Sequence, residues 1–317
     1  MPNVFITNTC NLRCKYCFAK GMLGGAANAE EMTLDEIKKI ATFVKNPEGP
    51  STKEMPGIIS LLGGEPTLHS QFRQIIDYLL ENNFVVKLFS NGTFNRETAD
   101  FLAGLPAESV GIILNINKRE NYSPTQWENI QRNLSHLNKI ITLGLTIFEV
   151  NFDFETVLNY ITTYGLRRDI RPGISMPIVG ASNAFVTYEQ TKLVAQRLLQ
   201  FAERGFEEDI TLGFDCGFTL CMFTRKELGR MKKLNVRLNF TCDGAIDIGK
   251  HGRVWRCFPL YSIHNTNIDK HESVVGIKDF YNDLLPVKVK GISGDCGRCK
   301  HYQRRNCSGG CYGYELQ

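Results

Sequence analysis

Three cysteines, Cys10, Cys14 and Cys17, lie close together near the start of the chain, within the run Thr9–Phe18. Thiolates bind zinc ions and iron-sulfur clusters, and both kinds of site usually take four protein ligands. Three thiolates leave one coordination position open, and a small molecule can bind there. The spacing also differs from the two-two-three run of bacterial ferredoxins. The triplet therefore predicts a metal site with an open position, and a zinc loop completed by a distant ligand is the alternative.

A second group of residues that could take part in chemistry follows an apolar run of strand length, Ile58–Leu62. The next residues are Gly63, Gly64, Glu65 and Pro66. Glycine lets backbone approach a ligand closely, and proline fixes the turn that follows. The Glu65 carboxylate could pair with an ammonium group. Taken alone, the two glycines are also compatible with an ordinary strand-to-helix turn.

A C-x-x-x-C-x-x-C run after one strand, with Gly-Gly-Glu-Pro after the next, resembles the radical S-adenosylmethionine (SAM) superfamily. The resemblance implies that Cys10, Cys14 and Cys17 hold a 4Fe-4S cluster whose open iron binds the amino and carboxylate groups of SAM. It places Tyr16 near the adenine and the 63–66 segment at the methionyl amino group. The implied reaction is reductive cleavage of SAM to a 5′-deoxyadenosyl radical, which removes hydrogen from a substrate carbon. The electron would come from an external donor such as flavodoxin or ferredoxin.

The whole-chain composition is that of a globular protein with room for roughly two domains. Of its 317 residues 43 % are hydrophobic and 22 % charged, and the net charge of +4 is too small and too scattered to predict a nucleic-acid partner. No apolar run approaches the roughly 18 residues of a membrane span, and no signal peptide is recognisable. Eleven cysteines without a secretion signal predict metal ligation in a reducing cytoplasm. The basic stretch Arg225–Lys233 is interpreted as a solvated helix face, with an acidic partner as the alternative.

Strand-like and helical segments alternate from residue 2 to about residue 213. The predicted strands lie near 2–7, 57–62, 84–90, 109–116, 140–148 and 170–178. The predicted helices lie at 33–45, 70–82, 95–104, 124–138, 154–164 and 187–204. Six successive βα units predict an α/β fold with a parallel sheet, in which ligands bind at the carboxyl ends of the strands. The resemblance implies a partial (βα)6 barrel over residues 1–213.

Further strand ends supply candidate contacts for SAM. Ser90 and Asn91 close the third strand, and Asn115 and Asn117 end the fourth, where the family commonly hydrogen-bonds the ribose. Their alternation places both asparagines on one face of the strand. Arg171, at the start of the sixth strand, could pair with the methionyl carboxylate, and an exposed salt bridge is equally plausible for it.

The last part of the chain, residues 214–317, carries eight more cysteines, and none occurs between Cys17 and Cys216. The pattern resembles the SPASM extension of radical SAM enzymes, which carries two auxiliary 4Fe-4S clusters. The match runs from Cys242 to Cys311 and includes Gly252. The chain departs from the pattern in a longer spacer after Cys299 and in lacking the final cysteine. The region is expected to contain little core beyond its metal sites.

Eleven cysteines minus three leave eight, which is two complete sets of four. Cys216 and Cys221 are therefore expected to be divided between the two sites or used in a way the family does not show. The family pattern implies a nearer cluster on an upstream cysteine with Cys242, Cys257 and Cys311, and a farther cluster on Cys296, Cys299 and Cys307. The alternatives are a spare thiol with one open auxiliary iron, and two zinc sites.

Three substrate hypotheses compete. SPASM proteins mostly act on ribosomally made peptides or on sulfatases, which favours a peptide or protein side chain. A small molecule such as an amino sugar is the second hypothesis, favoured somewhat because the chain begins at its first strand without a leader-binding module. A non-catalytic electron carrier is the third, and the Gly-Gly-Glu-Pro segment argues against it because a carrier needs no open iron.

Overall fold

The computed structural model describes residues 2–45, 56–242, 246–285 and 291–316. Their strands join in one sheet, in the order β10-β9-β8-β1-β2-β3-β4-β5-β6-β7. The strands are β1 Asn3–Phe5, β2 Gly57–Leu62, β3 Phe84–Ser90, β4 Val110–Asn115, β5 Ile141–Ile147, β6 Asp169–Ile174, β7 Thr211–Leu212, β8 Asp247–Ile248, β9 Arg253–Trp255 and β10 Thr266–Asn267. From β1 to β7 every neighbouring pair is parallel, as the repeated βα pattern predicts.

Helices alternate with these strands. They are α1 Leu34–Lys45, α2 Phe72–Glu81, α3 Arg96–Ala103, α4 Pro124–His136, α5 Glu155–Tyr164, α6 Thr191–Glu207, α7 Arg225–Lys233, α8 Val274–Leu284 and α9 Lys300–Gln303. In α1 the apolar stripe of Ile37, Ile40 and Ala41 is buried. A capping box begins this helix: Thr33 Oγ1 accepts from Glu36 N–H, and the Glu36 carboxylate accepts from Thr33 N–H.

The core lies between the sheet and these helices. In β3 the side chains alternate between buried and half-buried, with Phe84, Val86 and Leu88 in the core. Because the strands are parallel, their carboxyl ends meet at one edge, and the cysteine loop leaves β1 at that edge. No helix in the described ranges has both the length and the apolar composition needed to cross a bilayer.

The cysteine-rich part of the chain continues the same sheet. Strand β8 pairs in parallel with β1, and β9 and β10 follow as an antiparallel extension. The expectation of little core here is wrong, because Trp255 and Tyr281 are each 1 % exposed. Tyr281 also donates its hydroxyl to the carbonyl oxygens of Val254 and His264. The domain division at residue 213 remains a prediction.

Candidate metal and cofactor site

The loops that follow β1 and β2 are bonded directly to each other. Gly64 N–H donates to Thr7 O and Glu65 N–H to Thr9 O, both at 2.7 Å. A Cβ on Gly63 would lie 2.6 Å from Thr7 O, and one on Gly64 would collide with Thr9 O. Glycine is therefore required at both positions for the cysteine loop to pack against the end of β2.

Glu65 lies at the centre of this contact and is 1 % exposed. Its Oε1 accepts from Thr67 N–H (3.2 Å), Thr67 Oγ1 (2.7 Å) and Ser90 Oγ (2.8 Å), and its Oε2 accepts from Asn91 N–H at 2.7 Å. Burial raises the pKa of the carboxyl, and these four donors oppose that shift. Pro66 begins the short 3-10 turn that Glu65 caps. The carboxylate thus joins the end of β2 to the end of β3 through protein donors.

The three thiols of the N-terminal loop lie within electrostatic reach of one another. Burial raises the pKa of Cys17 to about 11, the Ala19 N–H opposes this, and negative charge on Cys14 and Cys10 raises the pKa further. Leu12 N–H points at Cys10 Sγ from 3.4 Å. Thiolates that repel one another are stabilised by a shared cation, and N–H donors to sulfur are typical of iron-sulfur loops. The donor set therefore fits a cluster held by three cysteines.

Tyr16 and Asn117 form the wall beside Cys14. The Tyr16 ring stacks on Phe148 with centroids 5.0 Å apart, and its hydroxyl donates to Asn117 Oδ1 at 2.6 Å. Asn117 Nδ2 donates to Cys14 Sγ at 3.5 Å, and its N–H donates to Tyr122 Oη at 2.7 Å. Sequence reasoning missed Phe148, although its position just after β5 was the signal that could have found it. Two of these three hydrogen bonds tie Asn117 to the cysteine loop, and the third ties it to Tyr122.

Replacing Asn117 with leucine is expected to make the N-terminal cluster harder to reduce. A hydrogen bond to a charged acceptor is worth about 1.5–3 kcal/mol, and it favours the more negative, reduced form. The reduction potential changes only by the difference in hydrogen-bond strength between the reduced and the oxidised cluster. We therefore expect a negative shift on the order of 50 mV for this one-electron couple. A redox titration followed by electron paramagnetic resonance measures it.

Asn91→Ala is the graded comparison, because Asn91 Nδ2 lies farther from its thiol, 4.0 Å from Cys10 Sγ. Its shift should be smaller than that of Asn117→Leu. Equal potentials in the wild-type protein and in Asn117→Leu would contradict a role for this contact.

Arg171 on β6 and Asn115 on β4 are separated by β5 and have different partners. Arg171 forms an ion pair with Asp215 at 2.6 Å and stacks over the Phe89 ring at 5.1 Å, so it has the salt bridge that was its alternative role. Asn115 Oδ1 occupies the space that a Cβ on Gly144 would need. Asp215 immediately precedes Cys216, and the ion pair links β6 to the cysteine-rich region.

Four of the later cysteines influence one another electrostatically, and we call them the near group: Cys216, Cys242, Cys257 and Cys311. Burial and then Asp215, Cys242 and Cys311 raise the pKa of Cys216 well above its usual value. Burial and then Cys242 raise the pKa of Cys311 to about 12. Cys216 is solvent-accessible, although nearby protein atoms desolvate its thiol. Gly313 N–H donates to Cys311 Sγ at 3.4 Å.

The remaining four cysteines form the far group: Cys221, Cys296, Cys299 and Cys307. Burial raises the pKa of Cys296, the Ser293 N–H lowers it, and the thiols of Cys221, Cys307 and Cys299 raise it again. Gly309 N–H donates to Cys307 Sγ at 3.4 Å. The described residues contain no ready-made single-ion site of three or more His, Cys, Asp or Glu side chains. Cluster ligands bind different irons and so surround a wider space than the ligands of one ion.

The comparisons with known proteins agree with this geometry. The sequence model of the Radical SAM superfamily matches residues 4–163. The chain is 30 % identical over 151 residues to a probable GTP 3′,8-cyclase of Methanocaldococcus jannaschii, a match that covers 47 % of this chain and 48 % of that protein. The chain therefore spans about half the length of the curated relatives it matches.

Two solved structures share the fold over nearly the whole chain. Streptococcus suis SuiB bound to precursor peptide SuiA is 14 % identical with a TM-score of 0.66, covering 98 % of this chain and 71 % of SuiB. Native anSMEcpe with bound SAM and the Cp18Cys peptide is 17 % identical with a TM-score of 0.64, covering 98 % of this chain and 89 % of anSMEcpe.

Proposed function

Because the chain belongs to the radical SAM superfamily, we propose that this enzyme removes a hydrogen atom from a side-chain carbon of a ribosomally made peptide or a protein. The modification would be a cross-link, a thioether, an epimerisation or a dehydrogenation. A 4Fe-4S cluster and SAM, when bound, supply the electron and the 5′-deoxyadenosyl radical for this abstraction.

The residues of the chain would hold and orient these groups. Cys10, Cys14 and Cys17 would bind the cluster and leave one iron for SAM. The backbone at Gly63 and Gly64, beside the cysteine loop, is the proposed contact for the methionyl amino group, as the resemblance of the Gly-Gly-Glu-Pro segment implies. Glu65 would act by holding that backbone, because its carboxylate already accepts four protein hydrogen bonds.

The aromatic pair of Tyr16 and Phe148 provides an apolar face beside the cysteine loop and would exclude water from the adenine side. Ser90, Asn91, Asn115 and Asn117 lie at the ends of β3 and β4 and stay as proposed SAM contacts. Arg171 would have to leave Asp215 to reach a methionyl carboxylate, so we assign it instead to holding the segment that carries Cys216.

The near and far groups would hold two auxiliary 4Fe-4S clusters. Each group offers four thiols, which is the full ligand set of a closed cluster. An external electron donor of the flavodoxin or ferredoxin type would reduce the protein. Eleven cysteines used in this way require a reducing compartment, so we place the protein in the cytoplasm.

We propose a peptide substrate because the fold similarity to peptide-bound structures extends over nearly the whole chain. The fold shared with SuiB and anSMEcpe, each with a bound peptide, covers 98 % of the chain and so includes the cysteine-rich region. The similarity to the GTP 3′,8-cyclase covers 47 % of the chain and supports a nucleotide as the second candidate.

Transfer of deuterium tests the substrate class. Cells of the source organism are grown in deuterated medium, and their extract is separated into peptide, nucleotide and other small-molecule fractions. Each fraction is incubated with the reconstituted enzyme, unlabelled SAM and dithionite, and 5′-deoxyadenosine is examined by mass spectrometry. Deuterium from the peptide fraction supports the proposal. Deuterium from only the nucleotide or only the small-molecule fraction overturns the peptide assignment, and no 5′-deoxyadenosine in any arm would indicate a non-catalytic carrier.

A further inference from the structure

We propose that Cys221 supplies the fourth thiolate of the far cluster and Cys216 the fourth thiolate of the near cluster, so that this chain closes both auxiliary clusters. The inference rests on the proposed function in taking both groups as iron-sulfur sites. It departs from the extension that the sequence resembles, in which a cysteine downstream of Cys311 completes the set. Here a cysteine that precedes the whole motif takes that place.

The chain turns sharply between the two cysteines. Gly217 has φ +95°, and a Cβ there would lie 2.9 Å from Ile174 Cβ and would collide with Met176. The next residue, Phe218, stacks on Phe214, which follows β7, with ring centroids 4.0 Å apart. This turn lets cysteines that are close in sequence face different neighbours.

After the turn, the segment carrying Cys221 packs on the hairpin that carries the rest of the far group. A Cβ on Gly310 would lie 3.3 Å from Thr219 Cγ2 and 3.1 Å from Ile292 Cβ, so these residues are in close contact. Thr219 is 2 % exposed and lies two residues before Cys221. The hairpin is closed by the hydrogen bond from Ile292 N–H to Gly309 O at 2.7 Å.

Cys296 belongs to the same hairpin, and its thiol packs against the backbone of Gly291. A Cβ on Gly291 would lie 2.6 Å from Cys296 Sγ. The thiols whose negative charge raises the pKa of Cys296 are those of Cys221, Cys307 and Cys299. The thiols whose negative charge raises the pKa of Cys216 are different ones, those of Cys242 and Cys311. Cys221 and Cys216 thus belong with different thiols, and together with the packing of Thr219 on Gly310 this is why we assign one of them to each group.

Closed auxiliary clusters have a functional consequence. With four thiolates on each, neither offers an open iron to a substrate atom. The open iron would then lie at the N-terminal loop alone, and the auxiliary clusters would carry electrons rather than bind substrate.

Iron counts in single and double variants test the assignment. Wild-type protein reconstituted without oxygen should hold about twelve irons per chain. Cys221→Ala should lose one to four irons and, on mild oxidation, show either a three-iron signal or loss of one auxiliary spectrum by electron paramagnetic resonance. Cys299→Ala is the matched control within the same group, and combining it with Cys221→Ala should add no loss beyond one cluster. Cys216→Ala combined with Cys221→Ala should damage two clusters.

Alkylation provides a second measurement that needs no variant. Cys221 is exposed, so a spare thiol at this position would react readily with iodoacetamide in the loaded protein. A ligated Cys221 should resist alkylation until a chelator and an oxidant remove the cluster, as mapped by mass spectrometry. Rapid alkylation in protein that retains twelve irons, or a Cys221→Ala variant with the wild-type spectrum, would overturn the assignment.

Zinc in place of iron at the far group would overturn the proposal that this group holds a 4Fe-4S cluster. It would not contradict the assignment of the same four cysteines as ligands. All these readouts are independent of SAM cleavage. A protein with the expected ligand pattern that forms no 5′-deoxyadenosine would contradict the proposed function and not this inference.

Discussion

Cys14→Ala is expected to abolish the reductive cleavage of SAM, reducing 5′-deoxyadenosine to the level of a reaction without protein. Cys14 is the central thiol of the triplet and receives the hydrogen bond from Asn117 Nδ2. Two thiolates cannot hold a cluster that already has one open iron, so the site that would bind SAM is lost with it. The measurement is 5′-deoxyadenosine by liquid chromatography after reduction with dithionite, together with iron content.

Cys299→Ala is the matched control, since it removes one thiol from the far group and leaves the N-terminal loop intact. It should retain cleavage of SAM, because dithionite can reduce the first cluster directly. Cys14→Ala should lose about four irons of twelve. A Cys14→Ala protein that lost those irons and still cleaved SAM at the wild-type rate would show that the catalytic cluster lies elsewhere.

Glu65→Ala is expected to lower both the stability of the protein and its affinity for SAM. The carboxylate is buried and accepts from Thr67, Ser90 and Asn91. Its removal leaves several buried donors without an acceptor, at about 1–3 kcal/mol each, and such losses are not fully additive. We expect a loss of about 3 kcal/mol in the free energy of unfolding. Urea denaturation of the protein without SAM measures this loss, and equilibrium dialysis measures SAM binding.

Glu31→Ala is a suitable control, because Glu31 also accepts a backbone N–H, from Ser70 at 2.9 Å, but at an exposed site. We expect less than about 1 kcal/mol for it. The comparison separates two roles of Glu65. If the carboxylate served only to bind the amino group of SAM, Glu65→Ala would lose affinity for SAM while its unfolding without SAM matched the wild-type protein.

Much of the barrel could be predicted because its signals are local. Each long strand and helix carries its own period and, at α1, its own cap, and the residues involved are within a few positions of one another. Asn117 and Glu65 lie at the same edge of the sheet, as predicted, because both follow the carboxyl ends of parallel strands. The strands β8 and β10 could not be predicted, because two residues show no period.

The sequence by itself determined the kind of chemistry. The count and spacing of Cys10, Cys14 and Cys17 are properties of a short loop, and the two glycines after β2 are required by contacts within a few ångströms of it. Tertiary structure decided what depends on distant segments. It placed the Glu65 carboxylate among protein donors, and it paired Arg171 with Asp215. The physical reason is that buried hydrogen bonds and ion pairs join residues far apart in the chain, and only the packing of the folded chain brings those residues together.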